Sequence, residues 1–243
     1  MIHRRTLLAS PLLMMTACHH LSPPAERQQP LALDLPGRAL PLRSWLYLPP
    51  GYEAGDAAWP LVVFLRGSGE RGTELARVKV HGPPKQVDQG RDFPFVLCSP
   101  QLEEGRTWSA HDQHALIGAL QARLRIDPAR ICATGLSLGG AGVWAWAAAY
   151  PQDLAAIAPV CGYGDPAEVC QASGVPVRAY HGAADDVVPL AAQQACVDAL
   201  RACGGQVDFI VYPGVGHDAW TPAYEDPALV PWLLAQRAGR ARR

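Results

Sequence analysis

The chain has 243 residues, of which 49% are hydrophobic and 18% charged, enough to bury a substantial globular core. Its 23 glycines and 23 prolines fall below the share that marks low-complexity chains. A formal net charge of -1 excludes the broad basic surface that nucleic-acid binding requires.

At the N-terminus, Arg4 and Arg5 precede an apolar stretch from Leu7 to Met15 that ends at small residues. This is the layout of a secretory signal, and the apolar run is too short to span a bilayer. Met15-Thr16-Ala17-Cys18 resembles a bacterial lipoprotein signal, with Met where Leu is more usual. The arginine pair also loosely resembles a twin-arginine export signal. The expected organisation is a signal peptide over residues 1–17, lipid on Cys18, a Pro-rich tether over 18–38 and one domain over 39–243. Export to the bacterial periplasm or cell envelope follows, with membrane contact only through the anchor at Cys18. The plainer alternative is an ordinary cleaved signal with an incidental Cys18.

The remaining chain alternates short β-branched runs with Ala- and Leu-rich stretches. Strands are expected at 45–48, 61–65, 95–99, 131–134, 155–161, 177–181 and 209–212. They are nearly continuous in hydrophobicity, as strands covered on both faces should be. Helices are expected at 113–125, 139–150, 190–203 and 227–237; in the first, Leu116, Leu120 and Leu124 form one stripe beside Ile117. Strand–helix–strand repetition implies a mostly parallel central sheet with helices on both faces, an α/β fold. Such sheets bind ligands at the carboxyl ends of their strands.

Three strand ends carry chemistry. After the strand at 131–134 comes Gly135-Leu136-Ser137-Leu138-Gly139, then a helix. A Ser on so sharp a turn needs small neighbours. Its hydroxyl is exposed at the positive end of a helix, with the Leu138 N–H aimed at a developing oxyanion. After 177–181 come His181-Gly182-Ala183-Ala184-Asp185-Asp186, where either acid could orient an imidazole. After 209–212, His217 stands in a Gly-rich loop. It completes the chain order Ser…Asp…His.

With these landmarks the chain resembles the α/β-hydrolase serine esterases, and within them the bacterial "predicted peptidase"/phospholipase–carboxylesterase-like group. Further matches are Phe64-Leu65-Arg66-Gly67-Ser68-Gly69-Glu70-Arg71-Gly72, His81-Gly82-Pro83-Pro84, Ser99-Pro100-Gln101, Val188-Pro189 and Gly216-His217-Asp218-Ala219-Trp220. The resemblance implies an α/β-hydrolase fold and a triad of Ser137, Asp185 and His217, with Asp185 selected over Asp186. It also implies an oxyanion hole from the backbone N–H groups of Ser68 and Leu138. One departure is Arg66, where the family usually has His; it would either favour an anionic substrate or pair with a nearby acid.

The expected activity is hydrolysis of short-chain or carbohydrate-linked carboxylic esters through an acyl-enzyme. The small-molecule or polysaccharide-linked ester is the expected partner, and Trp108, Trp220 and Arg66 are the candidate contacts to it. Trp144 and Trp146 are expected in the core. Peptide or amide cleavage by the same triad is the alternative, and a non-catalytic ligand-binding envelope lipoprotein is the alternative of another class. No CxxC or HExxH spacing supports a metal, and no cofactor is implied. Of the six cysteines besides Cys18, Cys98 and Cys132 are expected as buried thiols. Cys161, Cys170, Cys196 and Cys203 are the candidates for bridging.

Overall fold

A computed structural model describes residues 26–239. One eight-stranded sheet runs through them in the order β1-β2-β4-β3-β5-β6-β7-β8. Its strands are β1 (Gln29–Leu33), β2 (Leu42–Tyr47), β3 (Trp59–Leu65), β4 (Val96–Pro100), β5 (Ile126–Leu136), β6 (Ala156–Val160), β7 (Val177–Gly182) and β8 (Val207–Tyr212). Pairing is antiparallel for β1 with β2 and β2 with β4, and parallel from β4 through β8. The helices are α1 (Gly82–Asp88), α2 (Ala110–Gln121), α3 (Leu138–Ala149), α4 (Leu190–Ala202), α5 (Trp220–Glu225) and α6 (Leu229–Ala235).

The central strands β3 and β6 are apolar throughout because both faces are covered, and alternate residues of β3 enter different cores. On β3, Leu61, Val63 and Leu65 join one core with Leu116 and Leu120 of α2, Val143, Trp144 and Trp146 of α3, and Val197 of α4. Val62 and Phe64 point the other way, into a core with Val87 of α1, Tyr224 of α5 and Leu233 of α6. Trp144 and Trp146 are fully buried, as expected.

Three elements escape the sequence pattern: β1, α1 and the short α5. The first is β1, part of the expected tether, which pairs along its length with β2. Just before it, the buried Gln28 side chain donates to the Pro84 carbonyl at 2.9 Å and to Asp88 Oδ1 at 2.6 Å. The folded domain therefore begins about ten residues before the expected boundary at 39. The signal peptide and Cys18 lie outside the described residues. The second is α1, whose Pro83 and Pro84 sit in the first turn, where no N–H partner is lost. Among the described residues no helix is long and apolar enough to cross a membrane.

Of the four candidates for bridging, Cys170 and Cys203 form a disulfide with their Cα atoms 5.6 Å apart. Cys161 and Cys196 stay as buried free thiols, like Cys98 and Cys132. Burial pushes Cys98, Cys132 and Cys161 up to about 12, and raises Cys196 in the same direction. In the native protein near pH 8, iodoacetamide should therefore leave these four unmodified, and guanidinium should open all four to alkylation. Peptide mapping checks this, and rapid native labelling of any of them would contradict the packing.

Candidate active site

The loops after β3, β5, β7 and β8 meet at the carboxyl end of the sheet. Ser137 occupies the single step between β5 and α3 with φ 52° and ψ -118°. A side-chain-bearing residue adopts this left-handed conformation only under strain. The turn is tight because its neighbours lack side chains. A Cβ on Gly139 would lie 1.9 Å from the Leu65 carbonyl oxygen, and one on Gly135 would lie 2.5 Å from that of Gly139. The Ser137 N–H donates to the Val160 carbonyl at 2.9 Å, pinning the turn to β6.

The acid and the base are carried by two loops folded onto one another. A Cβ on Gly182 would meet the Gly216 carbonyl oxygen at 2.2 Å. Beyond it, the Ala183 N–H donates to Tyr212 O and the Ala184 N–H to Val215 O, both at 2.9 Å. This contact brings His217 Nδ1 to 2.8 Å from Asp185 Oδ2, while His217 Nε2 lies 3.0 Å from Ser137 Oγ. The pattern fits an imidazole that donates from Nδ1 and accepts the Ser137 hydroxyl at Nε2. Asp186 is exposed and takes no part.

The Asp185 carboxylate has no exposed side-chain surface. Its Oδ1 accepts from the N–H groups of Val187 at 3.0 Å and Val188 at 2.9 Å. Burial alone would raise its pKa, but hydrogen bonds from His217 and from these two N–H groups outweigh it and hold the carboxyl below its ordinary value. His181 sits behind, fully buried. Its Nδ1 faces Gln193 Oε1 at 2.8 Å, and its Nε2 faces Val188 O at 2.9 Å and Asp185 Oδ2 at 3.3 Å. Gln193 also accepts from the Gly162 N–H at 2.8 Å, tying the acid turn to the segment after β6. His181 and Gln193 carry no motif of their own, although His181 opens the matched His-Gly pattern.

The loop after β3 passes directly over the nucleophile. A Cβ on Gly67 would lie 3.6 Å from Ser137 Cβ. Ser68 follows and is exposed; neither its N–H nor that of Leu138 donates to an acceptor among the described residues. Arg66, an expected substrate contact, is 1% exposed and points into the protein. Its Nε donates to Gln101 Oε1, its Nη1 to the Gly67 carbonyl at 3.0 Å and its Nη2 to the Leu102 carbonyl. Burial lowers its pKa to about 10, opposed by the nearby Glu70 carboxylate. Neither expected role holds, then: Arg66 braces the loop from below. Gln101 completes the brace by donating from Nε2 to the carbonyls of Gly72 at 2.9 Å and Glu74 at 3.1 Å.

Trp108 is 8% exposed, and its indole N–H donates to the Arg66 carbonyl at 3.0 Å. Trp220 packs edge-on against the His217 ring at 5.3 Å, and His81 lies tilted against it at 5.2 Å. Cys161 lies beneath the triad, its backbone also left-handed at φ 39°. Its sulfur and the ligating atoms of Asp185 and His217 lie within 4.8 Å of one another. They are the described side chains that come close enough to share an ion, but two of them already belong to the Ser137 hydrogen-bond chain.

Comparison with known proteins identifies the family and the fold. Residues 96–226 match the model of the dienelactone hydrolase family. A candidate carboxymethylenebutenolidase of Methylorubrum extorquens (strain AM1) is 31% identical over 141 residues, covering 51% of this chain and 47% of the relative. A probable carboxylesterase of Oryza sativa subsp. japonica is 29% identical over 180 residues, covering 68% of this chain and 67% of that one. The chain thus spans about half the length of the first of these curated relatives. A solved thermostable esterase superposes with a TM-score of 0.75 at 29% identity, over 87% of this chain and 63% of its own. The structure of a candidate dienelactone hydrolase from Klebsiella pneumoniae, at TM-score 0.64 and 17% identity over 86% of this chain and 99% of its own, shares the fold. With the family model matching more than half of its length, the chain belongs to the dienelactone hydrolase family of the α/β-hydrolases.

Proposed function

We propose that the protein is a serine hydrolase that cleaves short-chain or carbohydrate-linked carboxylic esters through an acyl-enzyme. The observation that carries this reading is the unbroken hydrogen-bond chain from Ser137 Oγ through His217 to Asp185, at 3.0 and 2.8 Å. Ser137 Oγ attacks the ester carbonyl carbon as its proton passes to His217 Nε2. Asp185 stabilises the resulting imidazolium without taking the proton. The N–H groups of Ser68 and Leu138 receive the oxyanion, each such donor lowering the barrier by about 3 kcal/mol. The imidazolium then protonates the leaving alcohol, and a water deprotonated by the same ring releases the acid.

The elements follow one another closely and leave few residues for a large lid, which favours small or polymer-attached esters over long-chain lipids. The basic, apolar and small residues before Cys18 support an exported protein tethered by lipid.

Ser137→Ala and His217→Ala should each lower kcat on p-nitrophenyl acetate by about 10^5 to 10^6-fold, and the double variant no further. Asp185→Asn should cost about 10^4-fold. Steady-state kinetics test this; a Ser137→Ala protein as fast as the parent would refute the mechanism. A buried, inward-facing Arg66 makes a separate prediction. Arg66→Met should lower stability by about 3 kcal/mol through the lost hydrogen bonds. It should leave the ratio of kcat/KM for butanoyl and glutaryl p-nitrophenyl esters within about twofold of the parent's. A selective loss of the anionic glutaryl ester would restore Arg66 as a substrate contact.

A further inference from the structure

A cavity of about 380 Å³ opens beside α3, beginning at Leu138, the residue after the proposed nucleophile. Ala141, Gly142, Ala145 and Ala148 of α3 form its floor, with Trp108 on one side and the segment from Tyr163 to Val169 on the other. At 1.5 Å per residue, α3 lines the cavity for about 15 Å from Leu138 to Ala148. Trp108 lies this close to α3 only because position 142 has no side chain: a Cβ there would be 2.6 Å from Trp108 Cβ. The opposite wall ends at Val169, and the next residue, Cys170, is held by the disulfide to Cys203.

The position of this cavity relative to the triad identifies what would enter it. A tetrahedral carbon bonded to Ser137 Oγ has three other substituents. The oxyanion turns to the N–H groups of Ser68 and Leu138, and the leaving oxygen turns to His217 Nε2, the atom that protonates it. The acyl chain takes the remaining direction. The cavity starts beside the turn at Leu138 and is lined by neither His217 nor Trp220, so it lies away from the leaving group and is open to the acyl chain.

Its chemistry is graded. Near Leu138 it is apolar, and its opposite wall carries the exposed carboxylates of Asp165 and Glu168. Asp165 Oδ1 accepts from the Ala167 N–H at 2.9 Å, while the Glu168 carboxylate makes no hydrogen bond among the described residues. No Lys, Arg or His lines the cavity. A carboxylate would be repelled here, whereas a hydroxyl can donate to either acid.

We propose that this cavity is the acyl subsite and that it selects an apolar acyl chain ending in a hydroxyl-bearing group, against one ending in a carboxylate. The proposal rests on the serine-hydrolase reading above and names the acid half of its substrate. It is tested with p-nitrophenyl esters of acetate, 3-(4-hydroxyphenyl)propanoate and 3-(4-carboxyphenyl)propanoate. The parent should favour the hydroxyphenyl over the carboxyphenyl ester at least about tenfold in kcat/KM. Asp165→Asn combined with Glu168→Gln should shrink that preference to about threefold or less. Ala145→Phe should fill the floor and lower kcat/KM for both arylpropanoates at least about tenfold more than for acetate. Turnover of acetate with no preference between the aryl esters, or an Ala145→Phe effect equal on all three, would overturn the subsite alone. Failure of the parent on every ester would overturn the serine-hydrolase reading and the subsite with it.

Discussion

The site depends on a backbone constraint: Ser137 must stand in a left-handed conformation between the last residue of β5 and the first turn of α3. Nothing local favours this. It is imposed by the approach of α3 to β3 and β6, which is so close that Gly139 nearly touches the Leu65 carbonyl and Gly140 that of Val160. The packing of a parallel sheet against its crossover helix thus maintains the strain. The result is a hydroxyl lifted clear of the sheet at the N-terminus of a helix, with an unpaired N–H beside it. If either glycine carried a side chain, α3 would have to retreat and the hydroxyl would leave its partner.

Around this fixed point the protein builds two braces, each made from side chains distant in sequence. Arg66 and Gln101 together bind the carbonyls of Gly67, Leu102, Gly72 and Glu74, so the loop over Ser137 is held from within. His181 and Gln193 do the same for the acid turn, linking Val188, Asp185 and Gly162. Both braces are buried. They act on the geometry of groups that would touch substrate, and do not reach substrate themselves. A buried guanidinium is costly unless its donors are satisfied, and here carbonyl and amide oxygens satisfy them in place of a carboxylate.

Much of this was legible beforehand because it is periodic or local. Continuous apolar runs marked seven of the eight strands, and a reactive residue type followed three of them in the order the fold requires. The edge strand β1 was not legible, since Pro30 and its exposed residues look like a tether until β2 is there to pair with. The prolines that open α1 masked it in the same way. Arg66 could be seen as a cation beside the oxyanion loop, but its direction is set by Gln101, 35 residues away. The Cys170–Cys203 pairing likewise depends on where α4 ends in space, which spacing along the chain does not encode.

The central claim is that one hydroxyl, and no other, is made reactive by its place in this turn. Reaction of the native protein with a fluorophosphonate, followed by tandem mass spectrometry of the adduct, tests it most directly. The account predicts a single phosphonylated residue, Ser137, with labelling abolished in Ser137→Ala and strongly slowed in His217→Ala. Labelling at another residue, or none in a folded protein, would contradict it.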